Sequence, residues 1–209
     1  MMDIPKYKWP LHIATHPFEG FEDLRWKKAG SMKIAWLIIA LTFIVGVAQR
    51  TLTGFIYNTS YVKVFNVVPI LISTIVLFLC WVFGNWAVGT FLDGEGTVKN
   101  IFIFSAYALV PKIIADIVII ILSNFLLHNE AMFINIIYYI SLILTITLIF
   151  NAIRAVHQYT IPRTIAAIFL TLVAILIILF LIVLLITLFQ QVYVFALTIY
   201  TELGYRFNV

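Results

Sequence analysis

The sequence predicts an all-α, polytopic membrane protein: a bundle of about five transmembrane helices behind an amino-terminal interfacial helix. Three observations carry that expectation. Of 209 residues, 64% are hydrophobic and 11% charged, whereas roughly a quarter of a soluble domain is charged. A soluble fold of this size leaves too much of its surface in water to hide so much apolar area. The apolar residues also lie in uncharged runs long enough to cross a hydrocarbon layer of about 30 Å, which takes about 20 residues. Finally, six of the thirteen Lys and Arg residues fall within the first 33 positions. In such a chain a net charge of +4 implies headgroup contact and a cytoplasmic flank, not nucleic acid.

Residues 1–33 read as a cytoplasmic or interfacial amino-terminal segment and residues 34–209 as a five-helix transmembrane domain. No apolar core precedes residue 33, so no signal peptide is expected. Between Pro17 and Lys28, residues Phe18, Phe21, Leu24, Arg25 and Lys28 recur at helical spacing. Such a helix lies in the headgroup plane, aromatic residues down and basic residues against phosphates, as a membrane-surface anchor. The first span runs from Ile34 to Gln49, and Arg50 at its end is able to snorkel. The second lies inside the charge-free stretch Val64 to Leu92, the third runs from about Ile101 to Leu127, and the fourth from Ala131 to Ile153. The fifth begins near Thr164 and stays uncharged through Thr201, enough for one span and an interfacial extension after Gln190 and Gln191.

Short links make neighbouring spans antiparallel, and alternation then tests orientation. With the amino terminus inside, the cytoplasmic segments hold Lys6, Lys8, Arg25, Lys27, Lys28, Lys33, Lys99, Arg154 and Arg163. The outer segments hold Arg50, Lys63 and Arg206. Nine against three places the amino terminus in the cytoplasm and the carboxyl terminus outside the cell membrane.

Lys112 and Asp116 are the most informative residues. They lie four apart on one helix face, and Lys112 sits roughly 16 Å below Ile101, near the bilayer midplane. Ionisable groups at that depth are expensive and point to function or to a self-neutralising structural pair. Pro111 withholds the helical donor from the carbonyl of Tyr107. Tyr107, Pro111, Lys112 and Asp116 thus form the candidate intramembrane polar site.

A second group gathers Asn85, Asp93, Glu95, Arg154 and His157 on the cytoplasmic face. Asp93 and Glu95 lie on a Gly-rich turn that offers a cation, a partner's basic residue or Arg154 a place to bind; His157 shares a face with Arg154. Too few carboxylates accompany them for a calcium-type loop, and no metal or cofactor is expected. Asn85 is expected to bond across helices. Trp81 and Trp86 fit an aromatic belt, and Asn58-Thr59-Ser60 matches a glycosylation sequon. Cys80 stands alone, so no internal disulfide forms.

The segments Pro17-Phe-Glu-Gly-Phe-Glu-Asp-Leu-Arg25, Asn85-Trp86, Asp93-Gly-Glu-Gly96, Ser105-Ala-Tyr-Ala-Leu-Val-Pro111 and His157-Gln-Tyr159 resemble the Yip domain family, in particular its bacterial, Gram-positive branch. The likeness covers nearly the whole chain. The resemblance implies five spans with a cytosolic amino terminus, in membrane proteins named for interacting with Ypt/Rab GTPases. The acidic, Pro-rich region with an Asp-Leu-Tyr-Gly-Pro-like element that eukaryotic members carry is absent, so GTPase binding is not carried over. No enzyme signature is present. The leading expectation is a non-enzymatic scaffold or accessory subunit of a membrane complex such as a transporter, its partners being the bilayer and another integral membrane protein or a second copy. The alternative is a small transporter or lipid scramblase built on Lys112, Asp116 and Pro111.

Overall fold

The computed structural model describes residues 5–58 and 65–207, and every regular element in it is helical. Thr59, Ser60 and Lys63, and with them the sequon, lie outside the described residues. A single 3-10 turn (Lys6–Lys8) leads into α1 (Trp9–Thr15), and α2 (Gly20–Trp26) follows. Five helical stretches are long and apolar enough to cross a membrane: Met32–Leu52, Val68–Phe91, Val98–Leu122, His128–His157 and Ile161–Leu203. These are α3 (Met32–Leu52); α4 (Val68–Leu71), joined through a π turn (Ile72–Val76) to α5 (Leu77–Phe91); α6 (Val98–Ala108) and α7 (Val110–Leu122); α8 (Ala131–His157); and α9 (Ile161–Phe207).

Sequence chemistry sets several of these boundaries. Thr97 caps α6 by accepting from the Asn100 amide. Pro111 occupies the first turn of α7, where a missing N–H costs least. The third span is therefore two helices meeting at Leu109, whose amide turns back onto the carbonyls of Ala106 and Tyr107. The fourth span continues past Ile153 to His157, because Arg154 and His157 are the last turn of α8 and not a loop. The fifth span and the stretch after Gln190 and Gln191 form one unbroken helix.

Most of α6 is core: Ile101 to Ala108 are all buried, between α3 on one side and α8 on the other. Two ends are distinguishable. At one, the basic end, the amino-terminal helices, the turn after α5 and the turn after α8 meet. At the other, Gly54 donates to Ser123 Oγ, Asn124 to the Leu52 carbonyl and Tyr57 to the Leu127 carbonyl. Three helices finish at the basic end with a residue in the left-handed region: Lys28, Asp93 and Gln158. Each is followed by an amide that bonds five residues back, Ala29 to Leu24, Gly94 to Gly89 and Tyr159 to Arg154. Those bonds satisfy carbonyls that a helix end otherwise leaves bare.

The amino-terminal segment departs from the surface-anchor expectation. Phe21 and Leu24 are 0% and 1% exposed and belong to the protein core, where Phe21 stacks on Phe104 with ring centroids 5.6 Å apart. Arg25 donates to the carbonyls of Ala155 and Val156 at the end of α8, where the helix dipole favours a cation. Of the five residues expected to anchor it, Phe18 and Lys28 face outward. Periodicity identified the apolar face correctly but not what it meets: α1, whose Trp9 and Ile13 are buried beside it, folds the segment onto the bundle.

Candidate functional site

Two arrangements of polar residues stand out. The first is a cavity of about 850 Å³. It is walled by α3, the π turn with α5, α6, α7 and α8, with Arg50, Tyr57 and Asn58 among the residues at the end away from the basic end. Trp81 and Ser105 form its inner polar limit, the indole N–H donating to Ser105 Oγ at 3.0 Å. Ser73 and Thr74, displayed by the π turn, add hydroxyls to the wall. Lys112 and Asp116 line it too, and Lys112 Nζ donates to Asp116 Oδ2 at 2.7 Å.

The pair is unequal. The Lys112 side chain is 42% exposed and faces the cavity, whereas that of Asp116 is 9% exposed. Asp116 Oδ1 is buried and has no donor among the described residues. Counting Arg50, the described lining carries two cations against one carboxylate.

Tyr107 and Pro111 do not join this site. Tyr107 is fully buried and its hydroxyl meets the Ser31 backbone, accepting from the amide at 3.2 Å. Pro111 is buried and shapes the junction of α6 and α7. The helical path carries their side chains to other faces than that of Lys112.

The second arrangement is a polar knot at the basic end. His157 is 2% exposed. The Gly96 amide donates to His157 Nδ1 at 3.3 Å, so the ring proton sits on Nε2 and is donated to Asn85 Oδ1 at 2.9 Å. Asn85 Nδ2 donates to Thr171 Oγ1 at 3.1 Å, and Thr171 donates to the Ala167 carbonyl at 2.7 Å. Donor and acceptor alternate along the whole chain of bonds, tying α8 to α5 and α5 to α9. The imidazole stacks on Tyr159 with planes 9° apart. Gly89, Gly94 and Gly96 surround it so closely that a Cβ at Gly96 would lie 2.6 Å from His157 Cε1, and a Cβ at Gly89 or Gly94 would overlap the ring. Ion pairs cover the knot: Arg25 with Glu95, and Arg163 with Asp93 at 3.3 Å. Arg163 also stands over the Tyr159 ring. Burial pushes the Tyr159 phenol above its usual range; Arg163 opposes the rise and Asp93 adds to it.

Asn85, Asp93, Glu95 and His157 thus do gather, but Arg154 is not the cation that the carboxylates choose. Among the described residues they pair with Arg25 and Arg163, which approach from α2 and α9. Four of the five segments that resembled a known family converge here: Arg25 from the first, Asn85, the Asp93–Gly96 turn and His157–Tyr159. A family model for the Yip1 domain matches residues 11–200. The chain belongs to the Yip1 domain family. Within this Yip1 domain protein the matched region takes in α1 from Leu11, the first four apolar spans whole, the fifth as far as Tyr200, and the knot. Comparison with curated proteins and with solved structures finds no match.

Sequence reasoning missed Arg50, Gln49, Thr171, Gly89 and Arg163 as site members. A weak signal existed for Thr171. Thr164, Ala167 and Thr171 are small residues three and four apart on one helix face, the pattern by which membrane helices approach closely.

Proposed function

We propose that this Yip1 domain protein is a non-enzymatic accessory subunit that assembles with another integral membrane protein through the distal half of α9. One observation carries the reading. The apolar stretch Ile161–Leu203 has 43 residues, about 65 Å of helix at about 1.5 Å per residue. Fitting that length into a hydrocarbon core of about 30 Å demands a tilt of about 60°, whereas spans tilt between about 0° and 40°. Only Thr164, Ala167 and Thr171 of α9 are buried, and from Phe180 onward every side chain described is exposed. Apolar surface that exceeds the bilayer and meets nothing in its own chain is the mark of a protein partner. The nine-to-three charge split supports an amino terminus in the cytoplasm of a cell-membrane protein.

A photo-reactive residue at Phe195, on the free half, should give one discrete protein adduct in native membranes. The same probe at Phe169, equally exposed beside the bundle, should give none. Lipid adducts alone at Phe195 would overturn the reading, and an adduct at twice the chain mass would replace the foreign partner with a second copy. The cavity favours a second reading, lipid handling, because charged groups inside a bundle are costly to keep. Its test is whether the protein, reconstituted alone, exchanges fluorescent lipid between leaflets.

A further inference from the structure

We propose that the cavity binds a phosphodiester headgroup that also carries a hydrogen-bond donor. The inference deepens the lipid-handling reading and rests on it. Three features fix the chemistry. Arg50 lines the cavity and makes no side-chain ion pair among the described residues, so its guanidinium is available for the bidentate pairing that phosphate oxygens suit. Lys112 spends one N–H on Asp116; an ammonium has three, and this side chain lines the cavity and is 42% exposed in all. A phosphate bridging Arg50 and Lys112 meets both remaining needs for charge.

The third feature is the orphaned oxygen. Asp116 is 6% exposed, lines the cavity, and its Oδ1 has no donor among the described residues. A buried acceptor without a partner is costly; Oδ1 is itself shut off from the cavity, so a turn of the Asp116 carboxylate is what presents it to a ligand that brings an N–H or O–H, and that bond removes the cost. An anion alone does not, because it would add a second negative charge beside the Asp116 carboxylate. An ethanolamine or glycerol headgroup supplies phosphate and donor together, whereas a choline headgroup has the same phosphate and no N–H. Ile70, Phe78, Ile134 and Ile149 make the apolar part of the wall, suited to the first carbons of an acyl chain. The shared chemistry also belongs to a free phosphodiester such as glycerophosphoethanolamine.

The test is native mass spectrometry of the purified full-length chain after exposure to equimolar dioleoyl phosphatidylethanolamine and dioleoyl phosphatidylcholine. One ethanolamine lipid should remain bound in about tenfold preference over the choline lipid, the factor expected when a single buried acceptor is left unmet. Arg50 is exposed on the last turn of α3, so Arg50→Gln keeps the fold and should release both lipids. Lys112→Met with Asp116→Asn, which removes the charges as a pair, should abolish the preference. Equal retention of the two lipids by the parent chain, or an unchanged preference in either variant, overturns the proposal. Displacement of the lipid by glycerophosphoethanolamine assigns the site to the free headgroup; retention assigns it to the lipid. If binding holds while reconstituted protein moves no lipid, the site stands and the lipid-handling reading falls.

Discussion

Removing Lys112 should cost far more than removing Asp116, although the two form one ion pair. Lys112→Met strands a carboxylate on a residue that is 6% exposed and whose Oδ1 already lacks a donor. Breaking a buried pair from that side costs about 3–5 kcal/mol. Asp116→Asn instead leaves an ammonium on a side chain that lines the cavity and is 42% exposed, within reach of any water that enters. The loss is then that of an exposed pair, about 1 kcal/mol. The double change carries no buried charge and should return to within about 1 kcal/mol of the parent, giving a coupling of about 3 kcal/mol between the sites. Unfolding of each variant from mixed micelles by SDS, followed by circular dichroism and extrapolated linearly, measures these differences. Additive single changes would show that the residues do not act as a pair. A costlier Asp116→Asn would show that the ammonium, not the carboxylate, is the group the protein shields.

Three further outcomes test other parts of the structure. Phe21→Ala should destabilise by about 3 kcal/mol, the cost of emptying a core aromatic site, as against about 0.5 kcal/mol or less for a residue that only touches headgroups; the same titration distinguishes them. Gly94→Ala should lower the yield of monodisperse protein because its Cβ overlaps the His157 ring and the Tyr159 hydroxyl. Gly94→Ala combined with His157→Ala should recover part of that yield, and no recovery would remove the imidazole as the cause. In a Cys80→Ala background, cysteines at Thr97 and Thr160 should resist an impermeant thiol reagent on intact cells, and one at Asn129 should react. The reverse pattern would invert the topology.

The sequence by itself determined the class, the spans and the local pair. Hydrocarbon thickness fixes the length of an apolar run, so Met32–Leu52 or His128–His157 is legible without a partner. Lys112 and Asp116 are legible as neighbours because helix geometry alone brings residues four apart together. The Asn85, Asp93, Glu95 and His157 grouping was visible as a set of polar residues near span ends, but its bonding was not. Glu95 reaches Arg25 across 70 positions, and Asn85 reaches His157 across 72 and Thr171 across 86. No periodicity records such separations.

The faces of the spans were hidden for a different reason. In water an apolar stripe marks the buried side of a helix. In a bilayer the lipid-facing and protein-facing sides accept the same residues, so Ile, Leu and Phe do not say which side is which. That is why the cavity, which Arg50, the π-turn residues Ser73 and Thr74 and Lys112 line together, belongs to the tertiary structure alone. It is also why Phe21 and Leu24 read as a lipid anchor until α1 and α2 are seen folded onto α6 and α8. Only packing decides whether an apolar face meets an acyl chain or another helix.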